Sequence, residues 1–333
     1  MKLVAFPRLD DDRLSRIRQA ASTMKIVSPA NDRQALAEIR DADAFFGKLT
    51  PPLLAVAEKL RWVQAPTASL EHYVFPELVD HPCVLTNMRG LYSDVVSEHA
   101  FGLLIALCRH FPQYIHQQQQ GVWAPVGGES ARGDFISGPG TVTAIDRAHR
   151  RLAGSTLGIV GLGEIGREIL RKALAFDMRV VAVDPRTDQA VLGVERIFAP
   201  EQLDSLLTVS DFVIIAAPHT PQTARLFGAA QFERMKRSAY LINVGRGAIV
   251  DLGELATALA AGVIAGAGLD VFETEPLPAD HLLWRLPNVI LTPHIAGYST
   301  QIAERHLQVV LENVARFVRG DSLLNEVDKA RWY

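Results

Sequence analysis

The chain is poor in the features that most quickly sort a protein into a class. Only two of its 333 residues are cysteine, Cys83 and Cys108, with no CxxC pair and no metal-type spacing. That excludes a disulfide framework and fits two free thiols in a reducing compartment, each acting as a small buried hydrophobe. Charge of one sign does not accumulate either: 34 Lys and Arg against 37 Asp and Glu leave a net charge of −3. Without clustered Lys and Arg, the footprint of a nucleic-acid partner is missing. No apolar run approaches the roughly 20 residues that cross a bilayer. A run of the greatest length, residues 103–108, reads as part of a buried helix, and the apolar stretch within residues 1–8 is too brief for a signal-peptide core. The expectation is a cytoplasmic protein with no membrane partner, no nucleic-acid partner and no bound metal.

What the chain does have is globular composition, 48% hydrophobic and 21% charged, over a length that suggests two domains. The first hundred residues alternate short apolar strands with amphipathic helices. Strands are expected at 2–6, 26–27, 44–46, 62–64 and 84–86, and helices at 11–22 and 32–40. One long helix is expected from Ser93 to about His116, with Ser93 or Asp94 as N-cap and Val95, Ala100, Leu103, Leu104 and Leu107 on its apolar face. The polar run 117–120 should end it. Residues 121–150, rich in Gly, Ser and Pro, show no period.

A second alternating series follows. Strands are expected at 156–160, 179–183, 212–216, 240–243, 264–270 and 289–292, with helices between them and an amphipathic helix at 301–319. The fold class is therefore α/β, two doubly wound parallel sheets.

Gly161-Leu162-Gly163-Glu164-Ile165-Gly166 fits GxGxxG between an apolar strand and a helix, the context that gives the pattern meaning. Gly161 allows a tight turn, Gly163 lets backbone approach a pyrophosphate, and Gly166 lets helix and strand pack closely. The anion then sits over the helix N-terminus. Asp184, 18 positions after Gly166, ends the next strand. A carboxylate there accepts the ribose hydroxyls of an adenosine and repels a 2′-phosphate, which favours NAD over NADP. Arg186 tempers this, because a guanidinium is able to receive a phosphate.

Three more strand ends carry polar residues, where α/β sheets place ligands. Arg246 lies in Asn243-Val244-Gly245-Arg246-Gly247, where a planar guanidinium can grip a carboxylate through two parallel hydrogen bonds. Asp270, Glu273 and Glu275 cluster after one strand, and His294 follows the last in Thr292-Pro293-His294.

These motifs, in this order, make the chain resemble the NAD-dependent D-isomer-specific 2-hydroxyacid dehydrogenases over nearly its full length. Val96-Ser97-Glu98-His99-Ala100 and Gly121-Val122-Trp123 match weaker landmarks of that family. The resemblance implies that Arg246 binds the substrate carboxylate and polarises its keto oxygen. It makes His294 the general acid in reduction and the base in oxidation, with Glu275 orienting the ring and favouring its protonated form. It places Gly161, Gly163, Glu164, Ile165, Gly166, Asp184, Pro218, Val244, Gly245, Asp270 and Gly297 on the cofactor, Asp270 at the nicotinamide carboxamide. It also implies a flavodoxin-like substrate domain, 1–93 completed by 298–333, and an inserted Rossmann domain, 94–297, with a cleft between them. A homodimer forming mainly through the cofactor domains is expected, with the helix from Asp94 as hinge and dimer arm.

The chain departs from the family in two places. The substrate-domain loop that offers backbone N–H groups to the carboxylate corresponds to Ala68-Ser69, with Ser69 where Gly is usual, a change that makes positive φ less comfortable. Lys48 and Leu49 are the other substrate-facing candidates. The Gly-rich segment, about 126–150, is longer than the family usually has; it would lengthen the dimer arm, lie over the partner's cleft, or be partly disordered. The implied reaction is hydride transfer between NAD(H) and a small 2-keto or 2-hydroxy acid, glyoxylate or hydroxypyruvate first and 3-phosphoglycerate second. Nothing after Asp321 is long enough for a regulatory domain, which sets aside members that carry one, and Glu275 disfavours the formate dehydrogenase branch, which pairs its His with Gln. An NAD(H)-sensing, corepressor-like binding protein on the same fold is the alternative, and turnover would separate the two.

Overall fold

A computed structural model describes residues 1–132, 140–188 and 190–332. The chain forms two units, Met1–Tyr92 with Tyr298–Tyr333, and Ser93–Gly297.

The first unit runs β1 (Lys2–Phe6), α1 (Asp11–Ala21), β2 (Lys25–Val27), α2 (Asp32–Glu38), β3 (Ala44–Gly47), α3 (Pro51–Ala55), β4 (Trp62–Gln64), α4 (Pro76–Asp80) and β5 (Val84–Thr86). Local chemistry sets the helix starts. Asp10 and Asn31 cap α1 and α2 by accepting the Arg13 and Gln34 N–H groups, and a proline opens α3 and α4, where its missing N–H costs nothing. Among the described residues the sheet has five parallel strands in the order β2-β1-β3-β4-β5, the flavodoxin-like arrangement.

The C-terminal helix (Ile302–Arg319) returns to this unit, setting Leu307, Val310 and Val314 in the same core cluster as Leu3, Ile17 and Trp62. A buried polar network fixes its position. Asn313 Nδ2 donates to Gln64 Oε1 at 2.8 Å, and Thr86 Oγ1 donates to the same oxygen at 2.8 Å while accepting Trp62 Nε1–H at 2.9 Å. All four residues are fully buried, so each bond also spares a polar group the penalty of lying unpaired, about 1–3 kcal/mol.

The second unit contains α5 (Ser93–Cys108), α6 (Phe111–Gln120), α7 (Ala144–Ala148), β6 (Thr156–Val160), α8 (Glu164–Ala175), β7 (Arg179–Val183), β8 (Arg196–Phe198), α9 (Leu203–Val209), β9 (Phe212–Ile215), α10 (Ala229–Arg234), β10 (Tyr240–Asn243), α11 (Leu252–Ala260), β11 (Gly266–Leu269) and β12 (Val289–Leu291). Its strands, all parallel, are ordered β12-β11-β10-β9-β6-β7-β8 among the described residues. Counted from β6 this is the Rossmann order 3-2-1-4-5-6 with a further strand at the edge. Strands β6, β9, β10 and β11 are buried at every position, as expected of a parallel sheet covered on both faces.

Several expectations need correction. The single helix 93–116 is two, because Pro112 cannot bond back to the Cys108 carbonyl and its ring presses against it. The first helix stops at Cys108, His110 turns through φ 56°, and Pro112 falls in the first turn of α6. The polar run 117–120 is helical, and it is Gly121, at φ 66°, that ends α6. Val96 rather than Val95 lies on the buried face of α5. Strand β8 was not anticipated; it is three residues long, starts with an exposed Arg196 and closes the sheet edge. Of the Gly-rich segment 126–150, residues 133–139 lie outside the described residues. The rest includes a turn of 3₁₀ helix, Glu129–Ala131, and α7, held by a Thr143–Asp146 capping box. Cys83 and Cys108 are free and buried.

Candidate active site

The second sheet reverses direction at β6: the chain builds outward to β7 and β8, then crosses back to β9 on the other side. Such a switch point leaves a crevice at the carboxyl ends of the strands, and every second-unit candidate lies on the loops or helix starts there.

Gly161 turns at φ 95°, and a Cβ on it would fall 2.7 Å from the backbone of Ala217, in the loop after β9. Gly166 faces the Gly161 carbonyl so closely that a Cβ would sit 2.2 Å from its oxygen. A Cβ on Gly163 would meet nothing within 4 Å, so backbone amides at the α8 N-terminus open onto unfilled space. This is the cradle a pyrophosphate needs, and the chain fits a dinucleotide. Glu164 and Ile165 form the first turn of α8, exposed and partly exposed. Pro218 is exposed after β9, and Val244 is buried with its N–H on the Ile215 carbonyl at 3.2 Å.

Asp184, at the end of β7, is only 4% exposed. Its Oδ2 accepts the Leu162 N–H at 2.8 Å, and its Oδ1 accepts the Arg186 N–H at 3.0 Å. The Arg186 guanidinium adds Nε to Oδ1 at 2.8 Å and Nη2 to Oδ2 at 3.1 Å. Burial pushes this carboxyl's pKa up, but the Arg186 side chain and the two backbone N–H groups outweigh it and hold it below the usual carboxylate range.

Strands β10, β11 and β12 lie side by side in register, Asn243 opposite Leu269 and Leu269 opposite Leu291. Arg246 therefore stands three residues past one strand end, Glu275 six past the next and His294 three past the third. The loops interlock: Asp270 N–H donates to the Asn243 carbonyl at 3.0 Å, and a Cβ on Gly247 would fall 1.9 Å from the Phe272 carbonyl carbon. Arg246 sits on a turn stapled by the buried Asn243 amide, whose Oδ1 accepts the Gly245 N–H at 3.1 Å and whose Nδ2 donates to the Arg246 carbonyl at 3.0 Å. The Arg246 Nη1 donates to the Gly245 carbonyl at 2.6 Å.

His294 Nδ1 meets Glu275 Oε2 at 2.7 Å, and Glu275 Oε1 accepts the Phe272 N–H at 2.9 Å. With the carboxylate accepting at Nδ1, that nitrogen carries the proton and Nε2 is left to give or take one. His294 is held at φ 53°, its N–H donating to the Asp270 carbonyl at 2.8 Å. A left-handed backbone on a side-chain-bearing residue costs of order 1 kcal/mol and persists only where neighbours impose it. Asp270 is the neighbour that does so. It is 1% exposed, and its Oδ1 accepts Thr292 Oγ1–H at 2.6 Å and the Ile295 N–H at 2.9 Å, while Oδ2 accepts the Ala296 N–H at 2.9 Å. His99 Nε2, from α5, lies 2.8 Å from Thr292 Oγ1 and 3.5 Å from Asp270 Oδ1. Where the resemblance puts Asp270 on the nicotinamide, the structure shows both its oxygens engaged by the turn that carries His294, with Gly297 at the end of that turn.

Asn243, Thr292 and His99 were not expected to contribute. The available signals were the Asn–Val–Gly turn and the Thr in Thr-Pro-His, both local to a strand end.

Ala68, Ser69 and Leu49 belong to the first unit. The Ala68 carbonyl accepts Asn87 Nδ2–H at 2.8 Å and the Ser69 carbonyl accepts Thr67 Oγ1–H at 2.7 Å, which pins the loop. Ser69 does not adopt the positive φ that a glycine would permit. Leu49 is a correction: at 3% exposed it packs in the core cluster with Phe45, Leu53 and Leu70, so its side chain is not offered to a substrate. Lys48 beside it is exposed, its ammonium 5.7 Å from the Tyr73 ring centroid.

The fold and the strand-end constellation define an α/β nucleotide-binding oxidoreductase architecture, and comparison with known proteins places it. The model of the D-isomer specific 2-hydroxyacid dehydrogenase NAD binding domain matches residues 101–296, and the chain belongs to that family. It is 36% identical over 315 residues to a glyoxylate reductase of Korarchaeum cryptofilum, covering 91% of this chain and 89% of that protein. A D-3-phosphoglycerate dehydrogenase of Methanocaldococcus jannaschii is 29% identical and matches 98% of this chain, but only 59% of its own length is covered. Among solved structures, a D-isomer specific 2-hydroxyacid dehydrogenase family protein of Aeromonas salmonicida superposes with a TM-score of 0.75 at 32% identity, covering 98% of this chain and 99% of that one. These relatives carry enzyme names, which lends the sensing alternative no support.

Proposed function

We propose that the protein reduces a small 2-keto acid to the D-2-hydroxy acid with NADH, or runs the reverse, with glyoxylate or hydroxypyruvate favoured and 3-phosphoglycerate second. The observation that carries this reading is the 2.7 Å bond between His294 Nδ1 and Glu275 Oε2, two strand ends from Arg246 on one sheet edge. The glyoxylate reductase names of relatives 33–36% identical support the substrate class.

Gly161, Gly163, Glu164, Ile165 and Gly166 hold the pyrophosphate of the dinucleotide, Asp184 its adenosine end, and Pro218, Val244, Gly245 and Gly297 line its path. Bound there, the dinucleotide supplies or takes up the hydride. Arg246 grips the substrate carboxylate through its planar fork and polarises the keto oxygen. Negative charge growing on that oxygen during reduction needs a proton, which His294 Nε2 delivers; in oxidation the same nitrogen removes it. Glu275 keeps the ring in the one tautomer that leaves Nε2 exchangeable. Asp270, Thr292 and His99 hold the turn beneath the ring.

In this reading the first unit is the substrate domain, with Ala68 and Ser69 offering backbone N–H groups to the carboxylate, and the second binds the dinucleotide. A homodimer through the second unit is supported by Phe111 and Ile115, one turn apart on α6, and by Val122 and Trp123 after it, exposed at 47%, 55%, 47% and 83%. The two free thiols support a cytoplasmic location. Among the described residues no helix is long and apolar enough to cross a membrane.

A panel of 2-keto acids, followed by NADH absorbance with NADH binding measured in parallel, tests the assignment. Consumption of NADH with glyoxylate or hydroxypyruvate is expected. Binding without turnover on any acid would replace the enzyme with a sensor.

A further inference from the structure

In the loop after β4, residues 66–70, every carbonyl accepts a hydrogen bond. Pro66 accepts from His306 Nε2 at 3.0 Å, Thr67 from the Met88 N–H at 3.0 Å, Ala68 from Asn87 Nδ2 at 2.8 Å, Ser69 from Thr67 Oγ1 at 2.7 Å and Leu70 from the Tyr73 N–H at 2.9 Å. The backbone N–H groups of Thr67, Ala68, Ser69 and Leu70 donate to no partner among the described residues. A trans peptide is planar, with its C=O and N–H pointing in opposite directions, so fixing one aims the other. His306 thereby sets the direction of the Thr67 N–H, and Asn87 that of the Ser69 N–H.

Both side chains are themselves held. Asn87, just past β5, is 3% exposed, and its Oδ1 accepts the Arg89 N–H at 3.1 Å, which leaves Nδ2 facing the Ala68 carbonyl. A carbonyl only accepts, so His306 Nε2 carries a proton. The His306 ring lies against Phe46, with centroids 6.1 Å apart. Two turns further along the same C-terminal helix, Asn313 Nδ2 donates to Gln64 Oε1, and Gln64 Nε2 donates to the Ala65 carbonyl at 3.0 Å. The helix thus steadies the loop at its first two residues. Successive backbone N–H groups without partners attract an anion, and the carbonyls that would repel one are turned to other donors.

We propose that Asn87 and His306 are positioning residues for the substrate carboxylate: by holding the Ala68 and Pro66 carbonyls they keep the Ser69 and Thr67 N–H groups turned to meet it. Neither side chain touches the substrate; each acts through the peptide it pins. The inference rests on the reading above in which this loop receives the carboxylate of a 2-keto acid, and the test separates the two.

Steady-state kinetics with the preferred 2-keto acid, alongside NADH titration and thermal melting, are measured on Asn87→Asp, His306→Leu and His306→Gln. Asn87→Asp exchanges the donor for a charged acceptor at constant size, and KM for the keto acid should rise about 10- to 100-fold. His306→Leu removes one neutral hydrogen bond, and KM should rise about 3- to 10-fold. His306→Gln brings an N–H donor to the same carbonyl and should restore KM to within about twofold of wild type. In all three, kcat should hold within about threefold and NADH affinity should be unchanged, because the carboxylate carries the same charge in ground and transition states. A merely structural role would lower the melting temperature and the active fraction, which reduces apparent kcat and leaves KM alone. An unchanged KM in His306→Leu, or an equal rise in the Leu and Gln variants, overturns the inference whether or not Asn87→Asp folds. A folded N87D with wild-type KM overturns it too. Should the wild type turn over no 2-keto acid, the functional reading itself falls; turnover with KM unmoved by these substitutions sinks the positioning role alone.

Discussion

Replacing Glu275 with Gln changes one oxygen to an NH2 group at almost constant size, and the hydrogen bonds around it make the outcome calculable. One carboxylate oxygen accepts from the Phe272 N–H at 2.9 Å, the other from His294 Nδ1 at 2.7 Å. Both partners are donors, and an amide has only one acceptor. If its oxygen stays with Phe272, the NH2 faces Nδ1, which must then give up its proton and drive the ring to the Nε2–H tautomer. If the amide turns over, Phe272 N–H faces a donor and the loop must shift. The first outcome is favoured, because the Phe272 bond lies within the chain's own turn. The bond count is kept, but the ionised partner of the ring is replaced by a neutral one, and a hydrogen bond to a charged group is worth about 1.5–3 kcal/mol. The His294 and Glu275 side chains are 49% and 36% exposed, so solvent screening pulls the figure toward the lower end. The expected fall in kcat is about 10- to 50-fold in both directions, with dinucleotide affinity preserved. Steady-state rates by NADH absorbance, with fluorescence titration of NADH, read this out. A kcat within twofold of wild type would show that the carboxylate does not set the state of the ring.

Three further outcomes follow from the same contacts. His294→Ala should lower kcat by about 10²–10⁴ while NADH still binds, and an unchanged rate would remove His294 from proton transfer. Thr292→Val removes the hydroxyl between His99 and the buried Asp270; a stability loss of about 1–3 kcal/mol is expected in urea titrations, and no loss would mean that the network is idle. His306 tests the first unit. Burial pushes its pKa below the ordinary histidine value, only partly offset by its hydrogen bond to the Pro66 carbonyl at 3.0 Å. A folded-state pKa below the unfolded one favours the neutral ring, so the contribution is intact above about pH 6.5 and is lost as pH falls below that value. The melting temperature should drop from about pH 7.5 to pH 5.5, and His306→Gln should drop less. Parallel curves would contradict the assignment.

Both parallel sheets were legible because apolar strands and amphipathic helices alternate visibly, and the glycine fingerprint marked one strand end outright. Three-residue β8 was not, since a short edge strand beginning with an exposed Arg has no period to read. The helix break at His110 was missed because the apolar spacing runs through it, although Pro112 carried the warning. At the candidate site, Arg246, Glu275 and His294 stood out as polar residues at strand ends. Asn243, His99 and Thr292 did not, because their partners are set by turn geometry and by which strands and helices become neighbours, neither of which a local pattern contains. Leu49 was misplaced for a related reason: next to an exposed Lys48, nothing local tells which of the two turns into the core. The Asp184–Arg186 pair is two residues apart and was noticed as two opposing hints. Only the coordinates show them bonded to each other.

The central claim, that these strand ends carry out hydride transfer to a 2-keto acid, is tested most directly by label. Reduction of hydroxypyruvate with NADH deuterated at the transferring position should give a D-2-hydroxy acid carrying deuterium on C2, and Arg246→Ala should slow its appearance by at least about a hundredfold, the weight of a bidentate charged contact. A product without the label, the L-enantiomer, or an unaffected rate in R246A would contradict the account.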